Sequence, residues 1–501
     1  MREPRPRPRR SRTAAAAPLR DPGAGGAGRS QPDDDRRPAG GRGARHRALC
    51  RRRARAGLSA ALRQRRAAGG DGPHRAGRRL DLGRIATRVA AVDGRLVVEG
   101  EKIFITNGGS DVHLVLARDA RAPAGAGAPA ALSLVLCPAV LPDGRRNAVR
   151  VTRVEEKLGL HGSPTCVVRF EGAEAFAVGP PGGGLRAMLE LMNLARLGVA
   201  AQAVGIAETA WQAAAAHAAA REQFGQPLCR HPLMLARLAE MRVDVSAARA
   251  LVYRAAALLD QVEALRRYLR GERSRADPAR EALRQAHLRR TRLARVLTSL
   301  AKFAAGEMSR RVTAAALQVH GGLGYMADAA VGQAHLDALV TTIYEGTSEI
   351  QVTFAASELA RGVLATVVEQ LAADVAAARD AAPELAAILA AGAGRLEAAL
   401  APVLRVPRLA QFHAARIGAL VGDLCAGGAA APGRGRRHRA RPRRDLPRRP
   451  RPGLGGVRAP AAGRRSRRCR PLRPAAPGLI GAAGRWRRSA ETVASAARLG
   501  E

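Results

Sequence analysis

Between Ile85 and Phe176 the chain alternates short apolar runs with turn residues. The runs are Ile85–Val92, Leu96–Thr106, Val112–Ala117, Ala131–Cys137, Ala148–Val154 and Cys166–Phe176, rich in Val, Ile, Leu and Phe. Gly, Asn, Asp and Pro punctuate them, as they do between strands. No helical period intervenes, so the pattern predicts a small antiparallel sheet or barrel rather than βαβ units. After Gly182–Gly184 the period changes. Leu185, Met188, Leu191 and Met192 fall at i, i+3, i+6 and i+7, on one face of a helix. Helical stretches follow over 183–220, 231–269, 280–318 and 348–377, and their short connections predict an antiparallel four-helix bundle. Residues 270–280, with Pro278, read as a polar connection, and 383–420 as one further helical pair. The fold class is therefore α+β: a central β domain followed by a helical bundle.

Charge divides the chain further. The formal net charge of +42 from 84 basic and 42 acidic side chains suggests a nucleic-acid partner when taken alone. Residues 1–80 carry +17 and residues 426–501 carry +18, leaving only +7 on the middle. Neither end contains a lysine, whereas arms that neutralise phosphate use Lys as readily as Arg. Runs of Arg, Ala, Gly and Pro read as disordered or out-of-frame sequence, with a nucleic-acid arm as the alternative. The expected layout is 1–80 and 426–501 as Arg-rich ends, 81–180 as the β domain, 183–365 as the bundle and 366–425 as additional helices.

Six scattered cysteines form no Cys-x-x-Cys pair, which excludes a zinc site or disulfide framework and predicts no metal. They fit a reducing, cytoplasmic setting. No stretch of 18 apolar residues exists, so no membrane role is expected.

Candidate chemistry centres on Thr341–Gln351. Glu345 stands just before a helix whose start is signalled by Gly346, Thr347 and Ser348. A carboxylate flanked by Ile343 and Tyr344 is expected to be part-buried, and burial makes a better base. The alternative is a carboxylate that merely complements the helix dipole. Upstream, Gln318-Val319-His320-Gly321-Gly322-Leu323-Gly324 is a Gly-rich turn that a helix C-cap would also explain. Arg221-Glu222-Gln223-Phe224-Gly225 is a loop with one cation and one aromatic. Glu101 to Gly108 is a strand ending in an Asn-Gly turn.

Together these segments resemble the acyl-CoA dehydrogenase family. Tyr344-Glu345-Gly346-Thr347-Ser348-Glu349 is similar to that family's catalytic segment. The resemblance implies that Glu345 is the base for the substrate α-proton, with Tyr344 and Gly346 beside the thioester. It implies that Thr347 and Glu349 line the flavin of FAD. Phe104, Ile105 and Thr106 match the strand that meets the isoalloxazine, with Thr106 donating to N5. Arg221, Phe224, Gln318, Gly321 and Gly322 match residues that hold the ADP part of FAD across a subunit interface, which implies a homodimer or homotetramer. Asn193 and Arg196 match an (Asn/Asp)-x-x-Arg pair near pantetheine and thioester, and Glu156–Thr165 matches a loop before the last strand. The segments keep the family's order over about residues 81–365. The insert around 262–295 and the helices past 365 resemble a larger bacterial branch.

The implied reaction is α,β-dehydrogenation of an acyl-CoA, as in fatty-acid β-oxidation, with an electron-transferring flavoprotein as acceptor. Departures from the family keep other readings open. No helical period precedes residue 81, where the family has an N-terminal domain. Codons for Gly70–Gly77 read one base on can give the missing Thr-Glu-Pro lead, so a frame slip near residue 80 is expected, and a second near 425. Leu336-Asp337-Ala338-Leu339 stands where relatives carry Arg-Asp-x-Arg, and Gln333 replaces a usual basic residue. A truncated non-catalytic homologue, a nucleic-acid-binding relative and an oxidase are the rival readings.

Overall fold

The structure is a computed structural model that describes residues 85–122, 128–271 and 277–430. The expected frame slip near residue 80 and the Arg-rich ends, apart from residues 426–430, lie outside the described residues, whereas the position of the second expected slip, near 425, is within a described helix.

Six strands form the β domain: β1 (Arg88–Val92), β2 (Arg95–Thr106), β3 (Val112–Asp119), β4 (Leu132–Pro138), β5 (Val149–Val154) and β6 (Thr165–Ala177). Their order is β2-β1-β3-β4-β6-β5, and β2 also pairs with β6, which closes the sheet on itself. The barrel reading is thus correct. One pair departs from the expected antiparallel pattern: β1 runs parallel to β3, through Arg88↔Arg118 and Val89↔Asp119. The alternation of side chains explains closure. Val115, Ala117, Val135 and Cys137 point inward to join Val89, Val98, Val168 and Phe170 in the barrel core. Leu114, Leu116, Leu132 and Leu134 point outward, yet they too are buried, under Met188. That double burial is why β3 and β4 read as near-continuous apolar runs.

Met188 belongs to α1 (Gly184–Ala220), which leads into α2 (Pro232–Arg270), α3 (Arg280–His320) and a short α4 (Ala330–Leu339). Gly184 sits directly on the backbone of Ser133 and Leu134, where a Cβ has no room. The first turn of the bundle is thereby clamped to the barrel. Helix α4 was not foreseen; its ten residues are too few to show a clear period.

The stretch expected as one helix over 348–377 is broken. It forms α5 (Ser348–Glu358), a π-helical turn at Leu359–Val363 and α6 (Leu364–Ala378). The break comes where Arg361 leaves helical geometry and Gly362 adopts φ +97°. The expected C-terminal pair is three helices: α7 (Pro383–Arg405), α8 (Pro407–Phe412) and α9 (Ala414–Ala430). Pro407 opens α8 at a position that suits proline, the first turn of a helix, while α7 carries Pro402 within its last turn. All of these share one core, from Ala200 through Leu297 and Leu300 to Leu424 and Cys425. The ion pair Arg254–Asp374 at 2.6 Å and the bond from Arg254 to the Cys425 carbonyl at 2.9 Å tie α2, α6 and α9 together.

Candidate active site

The loop between α4 and α5 is held at every turn. Val340–Thr342 forms one 3-10 turn, closed by Ile343 N–H to Val340 O at 2.9 Å. Glu345 then takes φ +56° and Gly346 φ +94°. A left-handed residue other than glycine persists only where its surroundings impose it. Here they do. Gln351 Nε2 donates to the Glu345 carbonyl at 2.9 Å and to the Gly346 carbonyl at 3.3 Å. Lys302 Nζ, on a fully buried side chain of α3, donates to the same Gly346 carbonyl at 2.7 Å. Tyr344 Oη donates to Gln202 Oε1 at 2.6 Å, and Ser348 Oγ to Glu307 Oε1 at 2.6 Å. The φ of Gly346 favours glycine, and a Cβ there would lie 2.5 Å from Gln351 Nε2, so the Gln351 amide would have to shift from the loop carbonyls it holds.

Two cations act on the Glu345 carboxylate. Arg196 is buried, with Nη1 3.2 Å from Asn193 Oδ1. Burial lowers its pKa, Glu345 opposes the loss, and Arg295 adds to it. Burial likewise brings Lys302 down to about 8, with Glu307 and Glu345 acting to keep its proton. The Thr347 hydroxyl, helped by a backbone bond, holds Glu349 below the usual carboxylate range.

Glu345 and Thr106 line one cleft of about 410 Å³. The barrel side contributes Thr106, Ser163 and Thr165; the helical side contributes Gln202, Tyr344 and Glu345. The volume lies in the range of small-molecule sites. Leu336 and Leu339, which replace the family's two cations, extend its apolar wall. Between them Asp337 Oδ1 accepts from Leu160 N–H at 2.6 Å and from Gln333 Nε2 at 2.7 Å. Helix α4 thus pins the Glu156–Thr165 loop at the cleft's edge.

Phe104 sits at φ +57° within the register shift between Lys102 and Ile105. Phe104 is 44% exposed and does not line the cleft, whereas Thr106, two residues on, does. The side chain of Ile105 points into the barrel core, so only its main chain is available to a ligand. An exposed aromatic residue close in sequence to a cleft-lining threonine hydroxyl fits the flat, hydrogen-bonding ring system of a flavin.

The remaining candidates form a second group. Arg221 follows α1, while Gln318, Gly321 and Gly322 stand at the end of α3; all are exposed. The ring of His217 stacks on that of His320 with centroids 4.4 Å apart, which brings the two helix ends together. Phe224 is 95% exposed in the adjoining loop. From Lys302 to His320 a helix rises about 27 Å, so this group lies far from the Glu345 loop. That separation suits residues that reach a cofactor on another subunit.

The sequence reading missed Lys302, Gln202 and Gln351. Lys302 left a trace: it is the one charge in the apolar stretch Val296–Gly306.

Sequence models of the acyl-CoA dehydrogenase middle domain and C-terminal domain match residues 76–173 and 182–360. A short-chain-specific acyl-CoA dehydrogenase of Megasphaera elsdenii is 33% identical over 273 residues, covering 54% of this chain and 61% of that protein. The 3-methylmercaptopropionyl-CoA dehydrogenase of Ruegeria pomeroyi is 33% identical over 291 residues, covering 54% of this chain and 46% of that protein. The chain therefore spans about half to under two thirds of the length of these curated relatives. Among solved structures, Caenorhabditis elegans ACDH-11 in complex with C11-CoA superposes with a TM-score of 0.56 at 22% identity, over 69% of this chain and 61% of that one. That likeness establishes the fold. With its middle and C-terminal domains both matched, the chain belongs to the acyl-CoA dehydrogenase family.

Proposed function

We propose that the protein is a FAD-dependent acyl-CoA dehydrogenase that removes an α-proton and a β-hydride from a fatty acyl thioester. The observation that carries this reading is that Glu345 and Thr106, from separate domains, line one cleft. Glu345 Oε takes the α-proton. Its main-chain N–H lies in a fixed left-handed turn and is offered to the thioester carbonyl, which acidifies the α-C–H. Arg196, oriented by Asn193, is the cation coupled to that carboxylate from α1. Leu158, Leu160, Leu336 and Leu339 exclude water around the acyl chain. FAD bound beside Phe104 and Thr106 supplies the acceptor for the β-hydride.

Arg221, Phe224, Gln318, Gly321 and Gly322 hold the ADP portion of a FAD seated on a neighbouring subunit, so the working form is a homodimer or homotetramer. Electrons leave to an electron-transferring flavoprotein. A reducing, cytoplasmic compartment belongs to the same proposal, on the scattered spacing of the cysteines in the sequence. The nucleic-acid reading rests on the Arg-rich ends, which lie outside the described residues.

The test is Glu345→Gln in the full chain. The purified variant keeps an oxidised-flavin spectrum and loses turnover; a variant that turns over acyl-CoA at the parent rate rejects the assignment.

A further inference from the structure

The chain has 84 basic side chains, and only three are lysines: Lys102, Lys157 and Lys302. Everywhere else arginine serves. Arginine is a planar fork, whereas lysine is a compact ammonium on a slim stem, so the two are not interchangeable where space is tight. Lys157 lines the cleft and donates to the Ser163 carbonyl at 2.8 Å. Lys302, like Lys102, has no exposed surface, and its Nζ reaches the Gly346 carbonyl at 2.7 Å.

Its helix also meets the loop at other points. Gly306, one turn on, packs against the Thr341 carbonyl, where an added Cβ would lie at 3.1 Å. Glu307 accepts from Ser348 Oγ. One face of α3 therefore grips the loop before, at and after Glu345. The charges facing Lys302 are Glu307 on its own helix, Glu345 in the loop, Glu349 on α5 and Arg196 on α1. Three attract it and one repels it.

We propose that Lys302 is a positioning residue for the proton-transfer step: its buried ammonium clamps the Gly346 carbonyl, fixes the left-handed Glu345–Gly346 turn, and so aims the Glu345 carboxylate into the cleft. The inference rests on Glu345 being the base. Methionine matches the stem of lysine without its charge or donor. In Lys302→Met, backbone amides of 344–348 exchange with solvent at least about tenfold faster, because the clamp is gone while the bundle stays closed. Turnover falls about a hundredfold, the scale of losing one oriented polar group at a reacting centre. KM for the acyl thioester stays near the parent value, since the cleft walls are untouched.

Amide exchange of 200–218 reports the bundle itself. Should Lys302→Met loosen that segment too, Lys302→Gln, which keeps a donor, is read by the same loop-against-bundle criterion. Parent-like loop exchange together with parent-like turnover overturns the proposal. The base assignment fails differently: Glu345→Gln would then stay active, while Lys302→Met would still speed exchange in the loop.

Discussion

The two groups of candidate residues are built on opposite plans. Around Glu345, side chains from α1, α3 and α5 converge on one short loop. Lys302, Gln351 and Gln202 each place a polar atom within 2.9 Å of it. At the other end of α3, Arg221, Phe224, Gln318 and Gly321 are exposed, above a helix pair joined by the His217–His320 stack and by core residues such as Ala214, Ala218 and Ala316. The first plan fixes atoms to a fraction of an ångström, which bond-breaking chemistry requires. The second presents a surface, which suits contact with another molecule. Strained backbone marks both: Glu345 at φ +56° and Phe224 at φ +50°. Only at Glu345 is the strain held in place by several buried groups.

The largest test of this contrast is Glu345→Gln, for which steady-state assays should show turnover reduced roughly 10³-fold or more. Next comes Gly346→Ala. The left-handed backbone and the crowding by Gln351 should cost about 1–3 kcal/mol in urea unfolding and lower turnover with it. The third test is pH. The folded pKa of Lys302 is about 8 against an ordinary 10.5. Between those values the unfolded chain keeps a proton that the folded chain has released. Unfolding free energy should therefore rise with pH across that window, and Lys302→Met should lack this component. The smallest effect on stability belongs to the other end. Phe224→Ala should change unfolding free energy by less than about 0.5 kcal/mol, while weakening flavin retention in gel filtration. A large loss of stability there would erase the distinction between the two plans.

The sequence conveyed the strands and long helices because each buries a regular face. Val112–Ala117 and Ala131–Cys137 were placed within two residues of β3 and β4. Glu345, Thr106 and Arg196 were legible through motif resemblance, and the cleft unites the first two. What stayed hidden has physical reasons. The break at Leu359–Val363 joins two helices whose apolar positions look alike on either side, so periodicity passes over the kink at Arg361 and Gly362. Lys302 was passed over, despite being the one charge in Val296–Gly306, because periodicity treats a lysine as a surface residue and its partner carbonyl at Gly346 is far away in sequence. The parallel β1–β3 pair rests on two residues of register, which no local pattern encodes.

Helix α9 has a consequence for how the molecule is made. Gly418 nestles against Leu300 and Val352, and Gly422 against Leu251, so α9 seals a seam between α2, α3 and α5. The residues that seal it emerge from the ribosome about 70 positions after Glu345. A nascent chain that already holds the whole Glu345 loop still shows an open apolar seam. The loop is thus made before the helix that closes the bundle around it, and a product stopped after α6 should be a substrate for chaperones and proteases.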